Sequence, residues 1–210
     1  MEKEAKQGQN FFLLNDYRDM YFKCWHDWKQ LHNSDPEEKT YAMFNLIMTL
    51  NHLFDWVLKD QNISFEKKIR CIRAFNPYKS MEKVSPDFKE FYDQLPERPP
   101  TRTEQYLVRS LSNKAKHLLQ TPSTESVTNT VYLGAGSPDA YCNGPKAFAG
   151  FHEIIVTHVV GDDGEDYDLK DICTTLIHDW GDFFRAESLF VLDSSSSPLD
   201  AERGRTNGDR

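Results

Sequence analysis

The feature that most constrains this chain is a pair of long amphipathic segments joined by a proline-bearing break. Over residues 10–33, Leu14, Tyr17, Tyr21, Cys24, Trp28 and Leu31 recur at three- and four-residue steps, the period of one helix face. "SDPEE" then stops and restarts the chain, with Asp35 as N-cap and Pro36 at the first helical position. A second helix is predicted over residues 37–59, carrying Met43, Ile47, Leu50, Phe54 and Val57 on one side. Such faces must be covered, so helix packed on helix is the expected architecture.

The same punctuation continues. Ser64 opens a shorter helix with Phe65, Ile69, Ile72 and Phe75 inward, and Pro77 closes it. Ser85 and Pro86 start another in "SPDFKEFYDQL", with Phe88, Phe91, Tyr92 and Leu95 apolar, and "PERPP" ends it. A fifth helix is predicted over residues 103–119, with Leu107, Leu111, Ala115 and Leu118 inward. The character then changes. "ESVTNTVYL" alternates and is rich in β-branched residues, which predicts a strand. "GAGSPDAYCNGPKAFAG" reads as a loop, and "FHEIIVTHVVGDDGEDYDL" as a hairpin turning at Asp162, Asp163 and Gly164. A last helix over residues 170–190 buries Ile172, Leu176, Trp180 and Phe183. The fold class expected is mainly α: a helical bundle with a small β-hairpin or sheet element before the C-terminal helix. Residues 1–192 form one helical domain with the β insertion near 125–169, and 193–210, lacking any apolar pattern, read as a disordered tail.

Charge limits the function. The chain carries a formal net charge of -8, so non-specific DNA binding is not expected, although a local basic groove remains open. Cys24, Cys71, Cys142 and Cys173 are widely separated and form no CxxC pair, which argues against structural zinc and for a reducing compartment. The opening "MEKEAKQGQN" has no apolar h-region and no apolar run reaches membrane-spanning length, so a cytoplasmic protein without membrane association is expected. The acidic "GDDGEDYD" lacks the alternating ligands of a calcium loop and reads as a solvated turn. No cofactor or metal site is expected, because P-loop, GxSxG, HExxH and dinucleotide fingerprints are missing.

Two polar faces remain. On the second helix Asn45, Thr49, His52 and Trp56 fall in one stripe, nearly opposite Leu50 and Phe54, with Asn51 and Asp55 on its flank, placed to bond each other. The stripe is either covered by another helix of the same fold or is a groove or dimer surface. On the fifth helix Arg109, Asn113, Lys116 and His117 lie away from the leucines. A solvated face has this composition; so does a site in which Arg109 and Lys116 hold phosphate and His117 moves a proton.

"TLNHLFDWVL" followed by "SLSNKAKHLL" resembles a group of bacterial proteins of about this length, and the arrangement is similar to HEPN domains. That resemblance implies an all-helical, often dimeric protein of a toxin or antiviral defence system. Active members are metal-independent ribonucleases, with an arginine and a following histidine as the catalytic pair. Here the pair would be Arg109 and His117, with seven residues between them, a longer spacing than the HEPN pattern has. Asn51, His52, Asp55, Trp56, Asn113 and Lys116 would be binding residues. Two functions are therefore expected as alternatives: RNA cleavage or binding by Arg109 and His117, or a non-catalytic module that homodimerises or takes a protein partner.

Overall fold

The computed structural model describes residues 14–33, 35–116, 127–134 and 152–190. Asp16 opens the first helix, α1 (Tyr17–Asn33): its carboxylate accepts from the amides of Arg18 at 2.8 Å and Asp19 at 3.3 Å. The helix thus starts at its capping aspartate, after the Leu14 at which apolar spacing begins. Asp35 does the same for α2 (Pro36–Lys59), accepting from the Glu38 amide at 3.0 Å, with Pro36 in the first turn as the sequence predicts. The two helices fold back on each other, and Leu46, Leu50, Leu53, Phe54 and Val57 of α2 are fully buried.

α3 (Phe65–Phe75) packs on α2 through Cys71, Ile72 and Phe75. The segment predicted as a fourth helix is helical from Pro86 to Asp93, with Ser85 at the N-cap position: a 3-10 turn, Pro86–Phe88, leads into a five-residue helix, α4 (Lys89–Asp93). Asn76 ties the surrounding connection together. It is fully buried, donates to the Pro99 carbonyl at 2.8 Å and accepts from the Tyr92 hydroxyl at 2.8 Å and the Tyr78 amide at 3.1 Å. Long-range bonds to one side chain shape this connection, and helix periodicity does not report them. α5 (Thr103–Lys116) then crosses α2. The predicted end of this helix at residue 119 lies outside the described residues, as does Leu118.

The β element is a three-stranded antiparallel sheet in the order β1 (Val127–Gly134), β2 (His152–Val160), β3 (Asp166–Asp168). Val127 pairs with Val159, and Val159 with Tyr167. The predicted turn is present, with Gly164 at φ 80° as its left-handed residue. β3 runs straight into α6 (Leu169–Ala186), which Asp168 caps by accepting from the Lys170 amide at 2.7 Å. Trp180 and Phe184 of α6 anchor the core beneath α1 and α3. Among the described residues, no helix is long and apolar enough to cross a membrane. The predicted tail, 193–210, lies outside the described residues.

α6 stops four residues before its predicted end. Ser188 adopts φ 50°, its amide bonds the Arg185 carbonyl at 3.1 Å and the Leu189 amide bonds Phe184 at 3.0 Å, a Schellman termination. Left-handed backbone is costly for serine and free for glycine. Ser188→Gly is expected to raise stability by ~0.5–1 kcal/mol; a lower urea midpoint would show that the serine side chain matters more than its backbone.

Candidate functional site

The two polar faces meet. The Arg109 guanidinium on α5 reaches the Asp55 carboxylate on α2 at 3.2 Å and lies 4.6 Å from the centre of the Tyr78 ring. Three residues further along α5, Ser112 accepts from the Asn51 amide nitrogen at 3.1 Å and contacts the Met48 sulfur at 3.2 Å. All these contacts fall on the Met48–Asp55 stretch of α2, where α5 crosses it. Gln105 adds a donor to the Leu50 carbonyl at 3.5 Å. Asn51, Gln105 and Ser112 are almost wholly buried, which makes this a polar seam inside the bundle. Asn51 Oδ1, Gln105 Oε1 and the Tyr78 hydroxyl have no partner among the described residues.

This geometry sorts the sequence candidates. Asn51, Asp55 and Arg109 are brought together, but Asn51 and Asp55 each bond α5 and not each other. His52 and Trp56 are half-buried on the other flank of α2. There Thr49, buried, donates to Asp27 of α1 at 2.9 Å, and Trp56 packs on the core. Of the stripe Asn45, Thr49, His52 and Trp56, Thr49 is thus covered by α1, and Asn45 is exposed. Asn113 is exposed and Lys116 closes α5, while His117 lies outside the described residues. Arg109 is not the solvated arginine that a purely wet face would carry: its side chain keeps 17% of its surface accessible.

An arginine so placed holds α2, α5 and the Tyr78 loop together. Removing it leaves a half-buried carboxylate unpaired, so Arg109→Ala is expected to cost ~1–3 kcal/mol. A double-mutant cycle with Asp55→Ala should return a coupling of ~1 kcal/mol. Additive losses would show that the pair does not couple and that Arg109 acts through Tyr78 alone.

Several residues of this architecture escaped the sequence reading. Asp27 is buried and bonded by Lys23 at 2.5 Å as well as by Thr49. Its signal was present, because Met20, Cys24, Asp27 and Leu31 share one helical period. Asn76 gave no periodic signal. At the hairpin turn, Asp162 is held by Lys79 and by the Tyr106 hydroxyl at 3.1 Å, beside a cleft of about 240 Å³. Asp163 accepts from the Tyr167 hydroxyl at 2.8 Å, which holds its carboxyl below the usual range. Both carboxylates are committed to protein partners. Among the described residues no group of His, Cys, Asp and Glu is placed to hold a metal. Burial raises the thiols of Cys24 and Cys71 well above the usual range and pushes that of Cys173 up to about 12, so none is a nucleophile at neutral pH. Cys142 lies outside the described residues.

What the seam leaves uncovered is apolar. At ~100° per residue, Met43 shares the bearing of Leu50 and Phe54, Ile47 that of Phe54 and Leu58, and Phe44 that of Asn51 and Asp55. The later residues of the core-facing set are 0–1% exposed: Leu50, Phe54 and Leu58. Ala42 and Leu46 continue that buried set toward the start of α2, and Met43 and Ile47 are half-buried against the core, whereas Phe44 and Tyr41, turned toward the bearings of Asp55 and His52, are 48% and 63% exposed. Ala115 on the last turn of α5 is exposed on a bearing between those of Val108 and Leu111. Comparison of the chain with family models, with curated proteins and with solved structures found no match.

Proposed function

We propose that this chain is a non-catalytic helical interaction module that binds a protein partner on the first three turns of α2. One observation carries the reading: Tyr41 and Phe44, one turn apart at the start of α2, are large apolar side chains left exposed beside Met43 and Ile47, which are half-buried against the core. The pairing of Arg109 with Asp55 points the same way, since a phosphate would have to displace a carboxylate already in place. The setting of the reading is cytoplasmic, supported by Cys24, Cys71 and Cys173, buried and unbridged. A stability comparison tests it. The double variant Tyr41→Ser, Phe44→Ser should lose under ~1 kcal/mol, as surface substitutions do, whereas Leu50→Ala on the same helix should lose ~2–5 kcal/mol. Equal losses would make Tyr41 and Phe44 part of the core and end the reading.

A second reading is favoured by the seam itself. Asn51, Asp55 and Arg109 lie together, and α5 leads from them to Lys116 and His117. In a HEPN-like protein of a bacterial toxin or defence system, Arg109 would hold RNA phosphate and His117 would act as acid and base without metal. RNA cleavage that survives chelators and is lost in both His117→Ala and Arg109→Lys would establish it; intact RNA at high protein concentration would remove it.

A further inference from the structure

The sheet ends differently on its two sides. On one side β3 pairs with His158–Val160 and carries Asp166 and Asp168, and Glu153 stands in the stretch of β2 that β3 does not reach. Carboxylates on an edge keep other strands away. On the other side, among the described residues, β1 has β2 as its neighbour and no strand beyond it. At ~3.4 Å per residue, the outer edge of Val127–Gly134 is as long as the β1–β2 ladder itself. The devices that blunt an edge are missing from it. Val127–Gly134 contains no charged residue and no proline, and its register runs from Val127 against Val159 to Gly134 against His152 without a bulge. The bundle holds the sheet through α6, which packs on β2 and β3, so pairing along β1 does not require the helices to move.

Such an edge selects its partner by backbone. Its alternating N–H and C=O groups are matched by an extended strand. Charge and closure decide which strand. The formal net charge of -8 repels a second copy in general. The contact itself adds nothing to that repulsion, because no antiparallel register of β1 on itself sets charge opposite charge. Self-pairing is two-fold, so one event covers the edge on both copies and assembly stops at two. Left bare, an uncharged β-branched edge is an aggregation template in the protein's own solution.

We infer that the outer edge of β1 pairs antiparallel with β1 of a second copy, joining two sheets into one continuous sheet across a homodimer. The inference is independent of Tyr41 and Phe44, which lie on α2. An interface built on one strand is small, so the dimer is of the weak, concentration-dependent kind. Sedimentation equilibrium of the full chain between roughly 10 µM and 1 mM should show monomer passing to dimer and no larger species. Thr128→Lys and Thr130→Lys place on β1 the charge that guarded edges carry. Each should weaken the dimer ~10-fold or more by setting like charges together at the pairing. Hydrogen exchange gives a readout that needs no variant. Alternate residues of β1 direct their amides toward β2 and toward the outer edge. Across the same concentration range the outward amides should gain protection and the inward ones should not. A chain that stays monomeric throughout would overturn the inference. So would a dimer that both lysines leave intact, or species that grow beyond two. Outward amides equally protected at every concentration would overturn it as well, by showing that the edge is covered within one chain.

Discussion

Trp180→Ala is expected to be the most damaging single substitution in the chain, costing ~3–5 kcal/mol. The indole is fully buried and lies flat on Phe75, 3.8 Å away with 4° between the planes. Phe183 and Phe184 meet it at 5.9 and 5.4 Å. Truncation would open a cavity where α3 and α6 meet, far from any surface that could collapse into it. Trp180→Phe should cost much less, because it keeps a stacked ring and removes an indole N–H that has no partner among the described residues. Urea unfolding of the two variants measures the difference. Equal losses would show that the stack on Phe75 contributes nothing beyond volume.

Asn76→Ala should follow, at ~2–4 kcal/mol. The side chain is fully buried, and its loss strands the Tyr92 hydroxyl, the Tyr78 amide and the Pro99 carbonyl away from water. Burial also raises the Tyr92 phenol above its usual range, so that group remains a proton donor in need of an acceptor. The effect should be local as well as global: hydrogen exchange at the Tyr78 amide should accelerate beyond what the fall in global stability explains. Since Tyr78 supports the Arg109 guanidinium, the seam should loosen with it. A variant with wild-type exchange at Tyr78 would mean that water replaces the carboxamide without loss.

Much of this architecture is legible in the sequence, and the parts that are not share a cause. Apolar period placed Leu50, Phe54, Ile72, Leu107, Leu176 and Trp180 on buried faces, where they are. Proline and aspartate marked the start of α2, and β-branched alternation marked the sheet. Period gives a residue's bearing around its helix. It does not say where the neighbouring helix ends. Ala115 therefore carries a core bearing at a position left exposed, and Met43 and Ile47 are only half-buried against the core. Nor does it tell a solvated arginine from one that meets a carboxylate on another helix, so Arg109 looked available for phosphate until Asp55 was seen opposite it. In the Asn45, Thr49, His52 and Trp56 stripe, period gave no sign that Thr49 would bond Asp27, a carboxylate at a core position of α1. The fourth predicted helix is present from Pro86 to Asp93, opening as a 3-10 turn, but the bonds by which Asn76 ties the surrounding connection together have no local signal.

The first turns of α2, with Tyr41 and Phe44 exposed, are proposed to be covered by another protein. Site-specific photo-crosslinking tests this most directly. A photoreactive phenylalanine analogue at position 44 sits where an exposed aromatic already stands, and the same analogue at position 73, exposed on α3, is the control. In cells of the native host, a discrete intermolecular adduct at position 44 and none at position 73 is the predicted result. No adduct at either position, together with RNA cleavage that Arg109→Lys abolishes, would contradict the account and make the seam between α2 and α5 the working part of the molecule.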